Sequence, residues 1–171
     1  MKEGNTMKMI DPILMELEQE AATTRRLLER VPATHLGWQP HAKSRTLGAL
    51  ANHIAVAQGR VANAIQTPTY DLSNREAPAP DSVEAILANF DASTAEAKQL
   101  LGNMSDEDLT SIWEGKAGGK TVFSAPKIGV IRAIVMNHIY HHRGQLTVYL
   151  RQLDVALPSV YGPTADENPF A

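Results

Sequence analysis

The chain contains no cysteine among its 171 residues. Without a thiol it can form neither a disulfide nor a thiolate metal site, and it has no cysteine nucleophile. The absence fits a reducing cytosol, although secreted proteins can also lack cysteine. The N-terminal stretch has no apolar core of signal-peptide length. No run approaches the roughly 18 uncharged apolar residues of a membrane span. We therefore expect a soluble, cytoplasmic protein without a membrane partner.

The chain also lacks an excess of either charge. Its formal net charge is −3, and lysine and arginine are scattered along the sequence. This balance gives no long-range reason to expect a nucleic-acid partner. No G-x-S-x-G motif is present, so a Ser-His-Asp hydrolase is a poor fit. A hydrophobic fraction of 43% is enough for a real core, and the length predicts one domain spanning residues 1–171.

Apolar residues recur at steps of three and four in four long segments, which predicts four helices. The segments cover about 11–30, 46–66, 83–101 and 126–153. Residues 67–80 read as a linker without an element, and only a short strand is indicated around Val122. This pattern predicts an all-α four-helix bundle. Connections of more than about ten residues predict at least one long crossover.

Polar residues before the predicted helices are candidate N-caps. Thr46 or Ser44 could cap the second helix. Asp81, followed three residues later by Glu84, has the spacing of a capping box for the third helix.

The stretch "NHIYHHRGQL", residues 137–146, holds three of the six histidines. At 100° per residue, His138 and His142 lie one turn apart on the face that carries buried aliphatic side chains. His53 lies on the inward face of the second helix and could meet them. Each histidine could instead be a core residue hydrogen-bonded to a neighbour. Three converging imidazoles plus water would make an open, catalytic type of metal site.

The remaining histidines are weaker candidates. His35 and His41 lie in a predicted loop, and His141 lies at the border of the histidine face, as an interface residue or a partner of a ligand. No aspartate or glutamate shares the face of His138, so the sequence indicates no general base.

Several neighbours of the histidines have candidate roles. Gln145 and Tyr149 follow on the same face and could orient a ligand or a histidine ring; otherwise they are polar groups satisfied inside the bundle. Arg143 is expected to point outward and to pair with Asp166 or Glu167.

Three further residues are assigned to packing. Gly144 is expected to allow a close approach between helices. Trp38 and Tyr161 are expected to cap the mouth of the bundle as hydrophobic contacts, with substrate stacking as the alternative.

Three stretches together are similar to the DinB-like (DinB/YfiT) superfamily of metal-dependent enzymes: "TLGALANHIA", "NHIYHHRGQLTVYLRQL" and the closing "LPSVYGPTADE". The resemblance implies an antiparallel four-helix bundle with a long crossover connection, assembled as a homodimer. It also implies a divalent metal ion, zinc or nickel, held by His53, His138 and His142. Better-understood relatives are mycothiol-dependent isomerases and bacillithiol transferases.

From this resemblance we expect a metal-dependent enzyme acting on a small-molecule substrate, with a low-molecular-weight thiol as a candidate cosubstrate. Transferase, isomerase and hydrolase chemistry stay open. The alternative is a non-enzymatic, stress-related binding protein or dimeric scaffold, in which the metal is structural or ligand-binding.

Overall fold

A computed structural model of the protein describes residues 7–73 and 78–171. Four long helices dominate it, and the fourth of these consists of three consecutive parts. In chain order the elements are α1 (Asp11–Leu28), a 3₁₀ turn (Ala33–His35), α2 (Leu47–Ala64), β1 (Thr69–Asp71), α3 (Val83–Gly102), α4 (Asp106–Thr110), β2 (Ile112–Ala117), β3 (Lys120–Pro126), α5 (Lys127–Val130), a π-helical segment (Ile131–Met136) and α6 (Asn137–Gln152).

The four helical segments predicted from apolar spacing are all present, with ends that differ by a few residues. Helix α2 packs against α3 and α6, and α1 packs against the same two helices. The mainly helical fold is therefore confirmed, whereas the antiparallel bundle topology stays a prediction. Among the described residues, no helix is both long enough and apolar enough to cross a membrane.

The helix starts show which caps the sequence identified correctly. Thr46 caps α2, since its side chain accepts a hydrogen bond from the backbone N–H of Ala49 at 3.2 Å. The predicted capping box at Asp81 is wrong. Ser82 caps α3 instead and accepts from the N–H of Ala85. The hydroxyl and carboxylate are comparably good caps, so the sequence alone could not choose between adjacent residues.

A three-stranded sheet corrects the all-α prediction. Its order is β1-β2-β3, with β1 parallel to β2 and β2 antiparallel to β3. Gly118 and Gly119 form the two-residue turn of the β2–β3 hairpin, and both have positive φ, which favours glycine. The linker prediction is wrong at Thr69–Asp71, where the chain pairs with β2. The spacing of apolar residues did not predict these strands, because the hairpin and the edge strand are stabilised by backbone hydrogen bonds. Such bonds leave no pattern in the apolar residues.

The core consists of two clusters of buried apolar side chains. One joins the start of α1, the end of α2 and the π-helical segment, and includes Trp113. The other joins the end of α1, the start of α2 and the end of α6, and includes Phe90. Along α2, His53 falls within the stretch of the second cluster, between Ala51 and Ile54. Along the fourth long helix, His138 and His142 fall between Met136 of the first cluster and Leu146 of the second.

Gly59 and Gly144 make a matched pair for a packing prediction. A Cβ on Gly59 would lie 2.8 Å from the hydroxyl of Ser93 and 3.0 Å from its carbonyl oxygen, because α2 and α3 approach closely there. A Cβ on Gly144 would meet nothing within 4 Å. The predicted packing role of Gly144 is therefore wrong, and Gly59 has that role instead.

We expect Gly59→Ala to lower the free energy of unfolding by about 1–3 kcal/mol through overpacking. Gly144→Ala is expected to raise it by about 0.5–1 kcal/mol, since alanine suits an exposed helix interior better than glycine. Urea unfolding followed by circular dichroism measures both. Equal stability of the two variants would contradict the close approach.

Candidate metal centre

Three histidine side chains meet between α2 and α6. His53 comes from α2, where the flanking Leu50 and Ile54 are each only 1% exposed and so fix the inward face. His138 and His142 come from consecutive turns of α6. All three rings are half-buried. The structure thus brings together the three residues that the sequence singled out.

The three rings present their Nε2 atoms to one another. The Nε2 of His53 lies 3.3 Å from that of His138 and 3.1 Å from that of His142, and the last two lie 2.9 Å apart. With metal–nitrogen distances of about 2.0–2.1 Å, tetrahedral ligands stand roughly 3.3 Å apart. Three nitrogen lone pairs this close repel unless a proton or a cation lies between them. The residues present therefore fit a metal ion held by three histidine ligands.

Gln145 fixes the orientation of one ring. The Nδ1 of His142 lies 2.7 Å from the side-chain carbonyl oxygen of Gln145. A carbonyl oxygen only accepts, so Nδ1–H donates and the Nε2 lone pair faces the other two rings. Burial of the ring lowers the pKa of His142, with only partial compensation from the bond to Gln145. Its imidazole is therefore kept in the neutral form that binds metals.

Tyr149 does not share this role. Its hydroxyl donates to the backbone carbonyl of Arg45 at 3.3 Å, and its ring meets Trp38 edge-on with centroids 5.7 Å apart. Tyr149 therefore connects the loop before α2 to α6. This is the alternative interpretation, in which the hydroxyl is a polar group with a hydrogen-bond partner in the fold. Trp38 is half-buried against the second core cluster, as a hydrophobic contact.

The other three histidines lie apart from the cluster. His141 is exposed, and its ring meets that of His142 edge-on, with centroids 4.8 Å apart. His35 bonds to the hydroxyl of Thr34, and His41 accepts from the N–H of Lys43. Both are exposed. The separation of the six histidines into three inner and three outer ones follows the sequence prediction.

Arg143 contradicts its predicted outward position. It is 2% exposed and lies between α6 and α1, where its Nη1 is 2.7 Å from Oε2 of Glu20. The same guanidinium donates to the hydroxyl of Thr24 at 3.3 Å and to the hydroxyl of Tyr161. The predicted partners pair elsewhere, Asp166 with Arg151 and Glu167 with Arg26.

Tyr161 also differs from its predicted role as a hydrophobic cap. Its ring is exposed, but its hydroxyl donates to Oε2 of Glu20 at 2.9 Å. Burial of the hydroxyl and its bond to Glu20 raise the pKa of Tyr161, so it stays protonated and can donate. Glu20, which the sequence analysis missed, is 7% exposed. One signal was available, because Glu20 and Thr24 are polar residues four apart on the inward stripe of α1.

A cavity of about 160 Å³ opens beside the histidines. His53 and His138 form one end of it. The remaining lining side chains come from α2, β1 and its following residue, β2, α5 and the π-helical segment: Ala57, Arg60, Val61, Ala64, Tyr70, Leu72, Trp113, Val130 and Ile134. None of these described lining residues is acidic.

Comparison with known proteins adds a family. Residues 16–146 match the model of the DinB superfamily. A relative, the uncharacterized protein YrdA of Bacillus subtilis (strain 168), is 27% identical over 161 residues, which cover 92% of this chain and 91% of the relative.

Two solved structures have a similar fold. A DinB-like protein from Bacillus cereus ATCC 10987 superposes with a TM-score of 0.72 at 25% identity, covering 89% of this chain and 97% of that one. A second, YjoA from Bacillus subtilis, gives a TM-score of 0.69 at 19% identity, covering 88% and 97%.

Proposed function

Because this chain belongs to the DinB superfamily and three of its histidines converge, we propose that it is a metal-dependent enzyme. His53, His138 and His142 hold the divalent ion, zinc or nickel. The single observation that carries the proposal is the triangle of Nε2 atoms with sides of 2.9–3.3 Å. These sides are equal to or slightly shorter than the roughly 3.3 Å between two ligands of one tetrahedral ion, so one ion can contact all three nitrogens.

The protein's own groups prepare this site for chemistry. A divalent ion bound there supplies a Lewis acid that lowers the pKa of a coordinated water or thiol. Gln145 holds His142 in the tautomer that presents Nε2. The adjacent cavity has mostly apolar walls, and a substrate that displaces water from it would experience stronger electrostatic interactions.

A low-molecular-weight thiol is the proposed cosubstrate, in a transferase or isomerase reaction. The chain has no cysteine of its own, so a sulfur nucleophile has to come from a small molecule. A zinc ion held by three imidazoles would also suit a thiolate, because sulfur is a good ligand for zinc.

The proposal is tested on untagged protein purified without chelator. Elemental analysis should find close to one zinc or nickel per chain after reconstitution. A panel of low-molecular-weight thiols with electrophilic acceptors should then show conjugation or isomerisation that chelation abolishes. Substoichiometric metal would count against the metal centre. Full metal loading without turnover across the panel would count against thiol chemistry and favour a binding or scaffold protein.

We expect Gln145→Ala to weaken zinc affinity by about 10–100-fold while one ion per chain still binds, because the His142 ring loses the partner that orients it. Competition with a chromogenic chelator measures the affinity. Gln152→Ala is the matched control, since Gln152 is exposed at the end of the same helix. Identical affinities for the two variants would contradict the orienting role of Gln145.

A further inference from the structure

The cavity beside the histidines is large enough for one ring. Its volume is about 160 Å³. Engineered apolar cavities of similar size, about 150 Å³, stay dry and bind benzene. Two small side chains, Ala57 and Ala64, leave this space open on α2, whereas Val130 and Ile134 close it from the fourth helix.

The aromatic wall of the cavity is fixed in place by a hydrogen bond. Trp113 is 2% exposed, and its indole N–H donates to the carbonyl of Ala64 at 3.0 Å. Tyr70 adds a second aromatic ring from β1. Aromatic walls of this kind favour offset or edge contacts with a bound ring.

Strand β2 has a glycine, Gly115, where Leu72 and Trp113 approach its backbone. A Cβ on Gly115 would lie 2.9 Å from a methyl carbon of Leu72 and 3.2 Å from the ring of Trp113. An alanine at this position would therefore displace the tip of Leu72 and crowd the ring of Trp113. Leu72 is 46% exposed although it is a large aliphatic residue, which places an apolar side chain at the opening.

We propose that this cavity is a specificity pocket for one aromatic ring of a small-molecule ligand, with the ligand's donor atom directed at the histidine end. The polar and apolar ends support this division. The imidazoles of His53 and His138 line the cavity together with the side chain of Arg60, and the remaining lining side chains are aliphatic and aromatic. The proposal deepens the proposed function and rests on it, because the donor atom needs a metal ion to bind.

Intrinsic fluorescence tests the ring site without any metal. The chain has two tryptophans, and Trp38 packs against Tyr149 away from the cavity. Trp38→Phe therefore leaves Trp113 as the reporter. We expect toluene to change the emission of metal-free Trp38→Phe protein in a saturable manner. Cyclohexanol, which has no aromatic ring, is the control, and at the same concentration it should change the emission less.

Paired hydroxamates test the direction of the ligand in zinc-loaded protein. Benzohydroxamate carries a ring and acetohydroxamate does not, while both offer the same donor atoms. We expect benzohydroxamate to bind at least about 10-fold more tightly by calorimetry, in the range by which apolar pockets discriminate. Val61→Phe fills the cavity and should remove this advantage while acetohydroxamate binding is unchanged. Val148→Phe, on an exposed face of α6, should behave as wild type.

An enlarging variant covers the case in which Val61→Phe does not fold. Ile134→Ala should bind 2-naphthohydroxamate more tightly than wild type does. Equal binding of the ring and methyl hydroxamates, with no toluene response, would overturn the pocket alone. Saturable toluene binding without binding of either hydroxamate would overturn the metal-dependent function alone. Unchanged naphthyl binding in Ile134→Ala would likewise overturn the pocket.

Discussion

Alanine in place of His53, His138 or His142 is expected to reduce affinity for zinc or nickel by more than about 100-fold. Removing a residue that only hydrogen-bonds to a metal ligand already lowers affinity by up to about 100-fold. Each substitution removes one of three Nε2 atoms that lie within 2.9–3.3 Å of one another. Two remaining imidazoles hold an ion far less tightly than three, because the lost ligand must be replaced by water. Metal analysis after gel filtration measures the loss for each variant.

Thermal stability gives a second measure of metal binding by these variants. When the free ion concentration is about 1,000 times the Kd, an ion that binds only the folded chain stabilises it by roughly 4 kcal/mol. Zinc should therefore raise the Tm of wild-type protein and leave that of the three alanine variants almost unchanged. His141→Ala is the matched control, since His141 is an exposed neighbour of His142. Loss of metal in His141→Ala, or its retention in His138→Ala, would contradict this assignment.

The histidine cluster could be predicted from sequence because its geometry is local on each helix. His138 and His142 are four apart, so any regular helix places them on one face. His53 follows Leu50 on the apolar stripe of α2, and one helix–helix contact then brings the three together. The prediction needed only the helical period and the packing of α2 against α6, which the structure shows.

The sheet and the irregular fourth helix could not be predicted in the same way. Strand β1 has three residues, and its existence depends on pairing with β2 more than forty positions later. The π-helical segment Ile131–Met136 changes the angle per residue just before His138. No periodicity argument at a fixed 100° contains either feature, yet both supply walls of the cavity through Tyr70 and Ile134.

Arg143 was misplaced for a different physical reason. The helical wheel correctly put it away from the His138 face, but that side was taken to be solvent. Helix α6 instead contacts α2 on one side and α1 on the other. That second side carries the buried residues of α6, namely Ile139, Leu146 and Leu150 together with Arg143, so the apolar spacing of three and four did mark it as covered. Arginine was nevertheless placed in solvent because its charge is rarely buried without a partner, and that partner, Glu20, lies on α1.

We expect Arg143→Met to lower the free energy of unfolding by about 3–5 kcal/mol, because the substitution leaves the Glu20 carboxylate buried without its cation. Methionine keeps most of the aliphatic stem, so the loss of charge and hydrogen bonds dominates over the loss of volume. The Tyr161 hydroxyl, which bonds to both groups, loses one of its two partners. Urea unfolding followed by circular dichroism gives the midpoint and the slope for comparison with wild type.

Two further variants separate the ion pair from arginine removal in general. Arg25→Met breaks a surface pair with Asp91, where the arginine side chain is 41% exposed, and should cost less than about 1 kcal/mol. Glu20→Met combined with Arg143→Met removes both charges and should recover most of the stability lost in the single variant. The single variant Glu20→Met completes the comparison. If the double variant loses as much free energy of unfolding as the two single variants lose together, the pair is not coupled. Arg143 would then stabilise the fold through Thr24 and Tyr161 rather than through Glu20.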